Sequence, residues 1–395
     1  MHIGINALLL SHSHNYRNGG VSHYIRYLLT ELARQDSKHH YTIFVNGHNV
    51  VEQLEAHQSH ITFVGVSWPE SQPAIRVAWE QFVLPSLLRQ KHIDVLHSPV
   101  NVLPATIPGN CATVITLHDL AFLRFPELLT RAKRLYHTTF TIRSMKRATQ
   151  LITVSDSTKY DAFELVDIPL ERIQTVYPCI DEHFSNVVDS KKVSHLREQH
   201  GLGEGFILYL GTLEPRKNIP MLIEAYHLLR QQHNIRQKLV IAGGKGWHYD
   251  AIFAKVQELG LQDVVLFPGF IADDDRPLWY QAAVVFAYPS LYEGFGLPVS
   301  EALACGTPVV TSDISSMPEA GAAMALCVNP HDVEAMSHAL QRALTDEQWR
   351  ARCRSEAPAI AQRFSARIMV EQTVRVYEKA AHTLQQSSQR IAFIR

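Results

Sequence analysis

Cysteine is scarce in this sequence, and long apolar runs and an excess of one charge are missing. The five cysteines form no Cys-x-x-Cys pair, so we predict neither a disulfide framework nor a zinc cluster, and a reducing compartment is the simpler expectation. No apolar run approaches the roughly 18 residues that span a bilayer. The formal net charge of -1 argues against a dedicated nucleic-acid-binding protein, because such proteins normally carry a basic excess.

Two enzyme signatures are missing as well. No Gly-x-Gly-x-x-Gly follows the first apolar segment and no Gly-x-Ser-x-Gly occurs, which disfavours a dinucleotide-dependent dehydrogenase and a serine hydrolase. The first segment, MHIGINALLL, has neither a charged n-region nor a cleavage site, so we interpret it as a strand rather than a signal peptide.

The sequence does contain a regular alternation of short apolar segments and longer amphipathic ones. Continuous apolar strands separated by helices are typical of a parallel sheet that is covered on both faces, and 395 residues exceed one ordinary core. We therefore predict an α/β protein with Rossmann-like domains at residues 1–185 and 186–371 and a last helix at about 372–395 that packs back on the first domain. The predicted strands are HIGINALLL, YTIFV, ITFVGV, IDVLHS, ATVITLHD, QLITVS and IQTVYP in the first domain, and FILYLGT, KLVIAGG, VVLFPGF, VVFAYPS, TPVVTSD and MALCV in the second.

The strongest motif is a glycine-rich turn that leads into a helix within residues 289–312. Gly294 and Gly296 allow a tight turn whose backbone can approach a ligand closely. Pro298 stands where a helix begins and Gly306 where it ends. The exposed N–H groups at such a helix start favour a phosphate group, so this turn predicts a phosphate site.

Two carboxylates accompany the turn, Glu293 in the loop and Glu301 in the helix. A carboxylate is a good acceptor for sugar and ribose hydroxyls. The competing interpretation is that Glu301 only complements the helix dipole and that Glu293 is a solvated loop residue.

A second motif, Glu-Pro-Arg-Lys-Asn, follows the strand FILYL. Arg216 and Lys217 are adjacent cations at the carboxyl end of that strand, and Asn218 is a candidate helix N-cap. Cations in this position suit the oxygens of a leaving nucleoside diphosphate. The alternative is a solvated charge pair at a helix start.

The two motifs together resemble the signature of the retaining GT-B glycosyltransferases of family 4, with a context similar to bacterial mannosyltransferases. The resemblance implies two Rossmann-like domains whose sheets face each other across a cleft. It implies that Glu301 holds the ribose, that Glu293, Arg216 and Lys217 act at the reacting centre, and that no metal cofactor is required. The remaining residues implied to bind the donor are Gly19, Gly20, Gly211, Thr212, Phe270, Ile271, Gly294, Phe295, Gly296 and Leu297.

The first domain resembles the family less closely. His118 directly follows an apolar strand, and the resemblance places it in the active site, where it would donate a hydrogen bond to a sugar hydroxyl; the alternative is a histidine bonded to backbone. The family's Asn-Gly-Val-Asp turn is replaced by Tyr-Pro-Cys-Ile-Asp at residues 177–181, which puts the local linker geometry in doubt.

Three acidic residues, Asp273, Asp274 and Asp275, superficially suggest a metal site. We interpret them instead as caps for the helix that begins at RPLWYQAA, complementing its dipole.

The basic amphipathic stretch at residues 131–149 has two interpretations. It is either the solvated face of a Rossmann helix, which we favour, or a surface that rests on an anionic membrane and offers the enzyme a lipid-linked acceptor.

By resemblance, the predicted activity is transfer of a hexose from a nucleotide sugar to a glycan or lipid-linked acceptor with retention of configuration, and mannose from GDP-mannose is the favoured donor. The expected location is the cytoplasm or the inner membrane face, with no nucleic-acid partner. The alternatives are a GT-B epimerase or phosphorylase and a non-catalytic sugar-binding subunit.

Overall fold

The computed structural model describes residues 1–10, 20–47, 59–66, 73–128, 130–185 and 189–394. The chain forms two compact units, Met1–Cys179 with Ala366–Arg395, and Ile180–Ser365. Both boundaries lie six residues before the predicted ones, at 179 against 185 and at 365 against 371. The chain enters and leaves the second unit at neighbouring points, because the Ile180 N–H donates to the Phe364 carbonyl at 2.9 Å.

The first unit contains a parallel sheet in the order β3-β2-β1-β4-β5-β6-β7. Its strands are β1 His2–Asn6, β2 His40–Asn46, β3 Ile61–Val66, β4 Val95–Ser98, β5 Ala112–Leu117, β6 Gln150–Thr153 and β7 Ile173–Thr175. Successive residues of β2 belong to different apolar clusters, with Ile43 in one and Phe44 in the other. Because side chains alternate across a strand, both faces of the sheet are covered, as the continuous apolar segments predicted.

Helices of the first unit cover these two faces. They are α1 Gly20–Gln35, α2 Pro73–Phe82, α3 Leu84–Gln90, α4 Ala121–Arg124, α5 Arg131–Tyr136, α6 Ile142–Arg147, α7 Asp156–Val166 and the last helix of the chain, Ala366–Ile394, with a π-turn at His137–Thr141 and 3-10 turns at Pro126–Leu128 and Leu170–Arg172. The last helix packs against α1 and β5. Its side chains Met369, Val370 and Tyr377 belong to the same apolar cluster as the α1 leucines.

The second unit contains a parallel sheet in the order β10-β9-β8-β11-β12-β13. Its strands are β8 Phe206–Leu210, β9 Lys238–Ala242, β10 Val265–Gly269, β11 Val285–Tyr288, β12 Val309–Ser312 and β13 Leu326–Val328. The register of β10 against β9 shifts between Leu266 and Gly269. Pro268 lies in this interval, and proline is tolerated in an edge strand because it has no N–H to donate.

The helices of the second unit are α8 Ser190–Gln199, α9 Ile219–His233, α10 Asp250–Glu258, α11 Arg276–Ala282, α12 Leu297–Ala304, α13 Met317–Ala320, α14 Val333–Thr345 and α15 Glu347–Arg363, with 3-10 turns at Glu182–Ser185, Pro215–Lys217 and Asp273–Asp275. The last helix of the chain, Ala366–Ile394, is α16 in this numbering. No helix in the described part of the chain is both long and apolar enough to cross a bilayer.

Two predicted helix caps differ from the structure. Asn218 does precede α9, but its backbone is left-handed, and its side chain donates to the Pro330 carbonyl at 2.7 Å instead of capping the helix. Asp275 precedes α11 without a side-chain capping bond, and Asp273 pairs with Arg276 at 3.1 Å. Asp275 thus occupies the N-cap position without a capping hydrogen bond, so the capping part of the interpretation is wrong, while the triplet does lie directly before the helix start.

Candidate functional site

Strand order brings the two predicted motifs together. In an open parallel sheet, ligands bind beyond the carboxyl ends of the strands, at the point where the strand order reverses. In the second unit this point lies between β8 and β11, which pair directly. The Glu-Pro-Arg-Lys-Asn motif follows β8 and the glycine-rich turn follows β11, so both motifs lie at the reversal point.

Lys217 is the buried cation of this site. It ends the 3-10 turn Pro215–Lys217, and only 7% of the residue is exposed. Its ammonium group donates to the Tyr288 hydroxyl at 2.8 Å and to a carboxylate oxygen of Glu293. Lys217 is therefore not the solvated charge that the alternative interpretation required.

Arg216 is held by a carboxylate that sequence reasoning missed. Its Nε and Nη2 donate to Glu214 Oε1 at 3.1 and 2.8 Å, while Nη1 donates to the Tyr292 carbonyl at 2.9 Å and lies 3.4 Å from Glu293 Oε2. Glu214 is 4% exposed. The available signal was the carboxylate two residues before the arginine, within the motif itself.

Glu293 completes the cluster. Its Oε1 accepts from the Ser290 hydroxyl at 2.7 Å and from the Tyr288 hydroxyl at 3.1 Å. Burial alone would raise the pKa of this carboxyl, but the adjacent Lys217 and Arg216 cations hold the pKa below its ordinary value of 4.5. Glu293 is therefore a buried, ionised group rather than a solvated loop residue.

Glu301 lies in a separate ion pair. Arg276 Nη1 donates to both of its carboxylate oxygens at 3.1 Å, and the Tyr280 hydroxyl donates to Oε2 at 2.9 Å. Glu301 is 4% exposed, so it does more than complement the helix dipole. Arg276 was not predicted, because it stands 25 residues earlier in the chain.

The glycine-rich turn has the predicted geometry. Gly296 has a left-handed φ of 101°, and a Cβ there would lie 2.3 Å from the Met317 side chain, so only glycine fits. The helix α12 begins at the next residue, Leu297, with Pro298 in its first turn. Phe295 is buried, with its ring edge-on to Phe364 at 5.3 Å. The start of this helix remains the predicted phosphate site.

The other predicted donor residues lie at neighbouring strand ends. Gly211 follows β8, and its N–H donates to the Ala242 carbonyl at 3.0 Å, with Thr212 next along the chain. Beyond β10, Phe270 is 69% exposed and Ile271 is buried. These roles stay predictions.

In the first unit, Gly20 begins α1, and Gly19 lies outside the described residues. His118 follows β5 and hydrogen-bonds through Nε2 to the Pro99 carbonyl at 2.9 Å. Burial lowers the pKa of His118, although the Pro99 carbonyl and Asp119 act in the opposite direction. A carbonyl only accepts, so Nε2 carries the proton and Nδ1 of the neutral ring is an acceptor. A hydroxyl bound there would donate to the ring, which reverses the direction that we expected.

Next to His118, buried uncharged side chains of the first unit form a hydrogen-bond network. The fully buried His97 bonds through Nδ1 to the Tyr377 hydroxyl at 2.7 Å and through Nε2 to the Thr116 hydroxyl at 2.9 Å. Tyr24 reaches the same Thr116 hydroxyl at 3.3 Å and packs edge-on against His118 at 5.1 Å. Burial lowers the pKa of His97 to about 3, so this ring is neutral. Sequence reasoning missed the network, which includes a residue of α16.

The described residues contain no group of three histidine, cysteine or acidic side chains placed to hold a metal ion. The structure brings Arg216, Lys217 and Glu293 into contact, and it holds Glu301 through Arg276. Four charges, those of Glu214, Arg216, Lys217 and Glu293, therefore lie together at the reversal point of the second sheet.

Comparison with known proteins identifies the family. The model for Glycosyltransferase Family 4 matches residues 18–184, and the model for Glycosyl transferases group 1 matches residues 192–359. The O-antigen chain mannosyltransferase B of Escherichia coli is 32% identical over 291 residues, which cover 74% of this chain and 76% of that protein. The chain belongs to glycosyltransferase family 4.

Two further comparisons bear on this glycosyltransferase. The serotype-specific mannosyltransferase WbdA of Escherichia coli is 32% identical over 61% of this chain, but the match spans only 31% of that longer protein. The structure of Anabaena Alr3699/HepE in complex with UDP and glucose is 20% identical, with a TM-score of 0.69 over 96% of this chain and 100% of that one. The structural likeness confirms the predicted GT-B fold.

Proposed function

We propose that this glycosyltransferase moves a mannosyl residue from GDP-mannose to a hydroxyl of a glycan or lipid-linked saccharide, with retention of the anomeric configuration. The observation that carries the proposal is the contact of Arg216 and Lys217 with Glu293 at the reversal point of the second sheet. The choice of mannose is supported by the names of relatives, which include O-antigen mannosyltransferases.

In this proposal the donor diphosphate lies between the two cations and the start of α12. Negative charge that develops on the leaving phosphate is stabilised by Lys217 and Arg216, whose positions are set in advance by Tyr288 and Glu214. Preorganised cations need no rearrangement as the bond breaks, which is why such groups accelerate transfer.

No protein nucleophile attacks the anomeric carbon in this scheme. Instead the oxygen of the acceptor hydroxyl bonds to that carbon on the face from which the diphosphate leaves, as the bond from the carbon to the diphosphate oxygen breaks. The hydroxyl proton passes to the leaving phosphate oxygen. We assign Glu293 no nucleophilic role; its Oε1 accepts hydrogen bonds from Lys217, Tyr288 and Ser290 and so helps to hold the cation in place. No step requires a metal ion, so transfer should continue in the presence of a chelator. His118 in the first unit accepts a hydrogen bond from a sugar or acceptor hydroxyl through Nδ1.

The decisive experiment incubates the purified protein with GDP-mannose, UDP-glucose or UDP-N-acetylglucosamine and a mannose-containing oligosaccharide, with and without chelator. We expect transfer from GDP-mannose, with an α-linked product by NMR from the α-linked donor. A β-linked product would contradict retention, and transfer from a different donor would contradict the choice of mannose. A changed donor without any acceptor would indicate an epimerase, and turnover of no donor would indicate a binding subunit.

We also propose that the basic segment of the first unit, residues 131–149, contacts an anionic membrane, which replaces the solvated helix face that the sequence favoured. Leu135 and Phe140 are 68% and 48% exposed, and Arg131 and Arg134 beside them are exposed too. Exposed apolar side chains among cations suit the interface of an anionic bilayer.

Sedimentation with phosphatidylglycerol vesicles tests this contact. We expect binding that weakens with salt and that is lost in a Leu135→Ser, Phe140→Ser double variant. Tyr160→Ser serves as the control, because Tyr160 is also exposed but lies on α7. Equal binding to neutral phosphatidylcholine vesicles, or an unchanged double variant, would contradict the proposal.

A further inference from the structure

The segment that follows β12 bonds directly to the backbone of the candidate site. The Ser315 hydroxyl accepts from the Glu293 N–H at 3.1 Å and donates to the Glu293 carbonyl at 2.9 Å. One side chain thus holds both backbone groups of the residue that contacts Arg216 and Lys217. Neither motif of the sequence includes this serine.

Ser316 continues the same contact. It is fully buried, and its hydroxyl lies within hydrogen-bond distance of two carbonyl oxygens, that of Glu293 at 3.0 Å and that of Phe295 at 2.8 Å. These carbonyls belong to the Glu293–Gly294 and Phe295–Gly296 peptides. The orientation of the peptide planes in the glycine-rich turn is therefore set by hydroxyl groups from a different loop.

The next turn of the same segment supports the helix start. Met317 packs where a Cβ of Gly296 would stand, and the Ser300 hydroxyl of α12 donates to the Ala320 carbonyl at 2.9 Å. The segment from Ser315 to Ala320 thus contacts the site from Glu293 to Ser300 along its length. We call this segment the brace.

The backbone of the brace is strained at its first residue. Ser315 has a φ of 57°, in the left-handed region that residues with a Cβ adopt at an energetic penalty. Glycine would remove the penalty but also the hydroxyl. Strain of this kind persists where the surroundings hold the residue in place, and it concentrates at functional sites.

We propose that Ser315 and Ser316 are positioning residues that fix the Glu293–Phe295 peptides for transfer, and that the strain at Ser315 is retained for this purpose. The inference rests on the proposed function. It adds the loop after β12, which contains Ser315 and Ser316, to the candidate site. The serines do not touch the substrate in this proposal; they act through Glu293 and through the N–H groups that follow it.

A comparison of Ser315→Gly with Ser315→Ala separates positioning from stability. Both variants lose the hydroxyl, but only glycine relieves the strain. We expect both to lower kcat by about 10- to 100-fold, since small displacements of catalytic groups have effects of this order. Ser315→Gly should keep or raise the melting temperature, whereas Ser315→Ala should lower it. If Ser315 had only a structural role, each variant would lose activity only to the extent that it loses stability.

The matched control is Ser337→Ala, which removes a buried hydroxyl of α14 for which the described residues provide no hydrogen-bond partner. We expect this variant to keep the wild-type kcat. Ser316→Ala should also lower kcat, because it removes a bond to the Glu293 carbonyl, which Ser315 contacts as well.

Hydrogen–deuterium exchange provides a readout that needs no activity. Amides of residues 293–297 should exchange about tenfold faster or more in Ser315→Ala than in wild type and in Ser337→Ala, because the bond to the Glu293 N–H is lost. Unchanged exchange, or a Ser315→Gly enzyme with wild-type kcat, would overturn the brace proposal. If the wild-type protein turned over no nucleotide sugar, the proposed function would be wrong. The exchange measurement would still test the brace proposal, because it does not depend on activity.

Discussion

The groups at the reversal point of the second sheet differ in charge from those around His118 in the first unit. In the second unit, Arg216 and Lys217 meet Glu214 and Glu293 in a buried ionic cluster. In the first unit, the buried polar groups beside His118 are Tyr, Thr and neutral His side chains that bond to one another, and His97 has its pKa lowered to about 3 by burial.

This difference in charge fits the two groups that react in the proposed transfer, the leaving diphosphate and the acceptor hydroxyl. A leaving diphosphate gains negative charge, so fixed cations stabilise it, and two carboxylates keep those cations in place while the site is empty. An acceptor hydroxyl is neutral, so neutral hydrogen-bonding groups suffice to orient it. Four variants test this contrast, and they are ordered from the largest expected effect to the smallest. Two remove charged groups of the second unit, and two alter the neutral network of the first unit.

Arg276→Met tests the ion pair that holds Glu301 in the second unit. It leaves the Glu301 carboxylate with the Tyr280 hydroxyl but without its cation, and an uncompensated buried charge costs about 3–5 kcal/mol. Urea unfolding should show a loss of this size. Adding Glu301→Gln should recover part of it, since the unpaired charge is then gone; a double variant as unstable as the single one would contradict the explanation.

Lys217→Ala tests the ionic cluster in catalysis. It removes a charge directed at the leaving group, so kcat should fall by on the order of 10²–10³. Lys255→Ala is the control, because Lys255 pairs with Glu224 and Glu258 on α9 and α10, away from the motifs. An unchanged kcat in a folded Lys217→Ala protein would reject the assigned role.

Tyr377→Phe tests the neutral network. It leaves the buried Nδ1 of His97 without the Tyr377 hydroxyl, which costs about 1–2 kcal/mol. Unfolding measurements should show this loss while KM for the nucleotide sugar stays at the wild-type value. A comparable loss in Tyr160→Phe, an exposed tyrosine, would show that the effect is not specific to the network.

His97→Asn tests the protonation state of the network. The pKa of His97 is lowered from 6.5 to about 3 in the folded protein, so below pH 6.5 the unfolded chain binds a proton that the folded one does not. This histidine's stability contribution is complete above pH 6.5 and declines by about 1.4 kcal/mol per pH unit below it. The variant should therefore lose less stability than wild type between pH 7.5 and 5.5. The exposed variant His331→Asn should keep the wild-type dependence.

Local features could be predicted well. The segments IDVLHS and TPVVTSD were recognised as strands because their apolar runs are continuous, and β4 and β12 lie within them. The start and end of α12 followed from Pro298 and Gly306, whose backbone preferences act without help from distant residues. The same reasoning failed for Asn218, because a distant carbonyl, that of Pro330, competes for its side chain.

The chain by itself determined the alternation of strands and helices, the glycine-rich turn and the pair of cations, since each depends on neighbouring residues. Only the tertiary structure decided what these groups meet. The order of the second sheet places β8 beside β11, and this brings Lys217 to Glu293, 76 positions later in the chain. Arg276 reaches Glu301 and Ser315 reaches Glu293 through the same folding. Such partners are set by strand order and helix packing, which one-dimensional patterns do not encode.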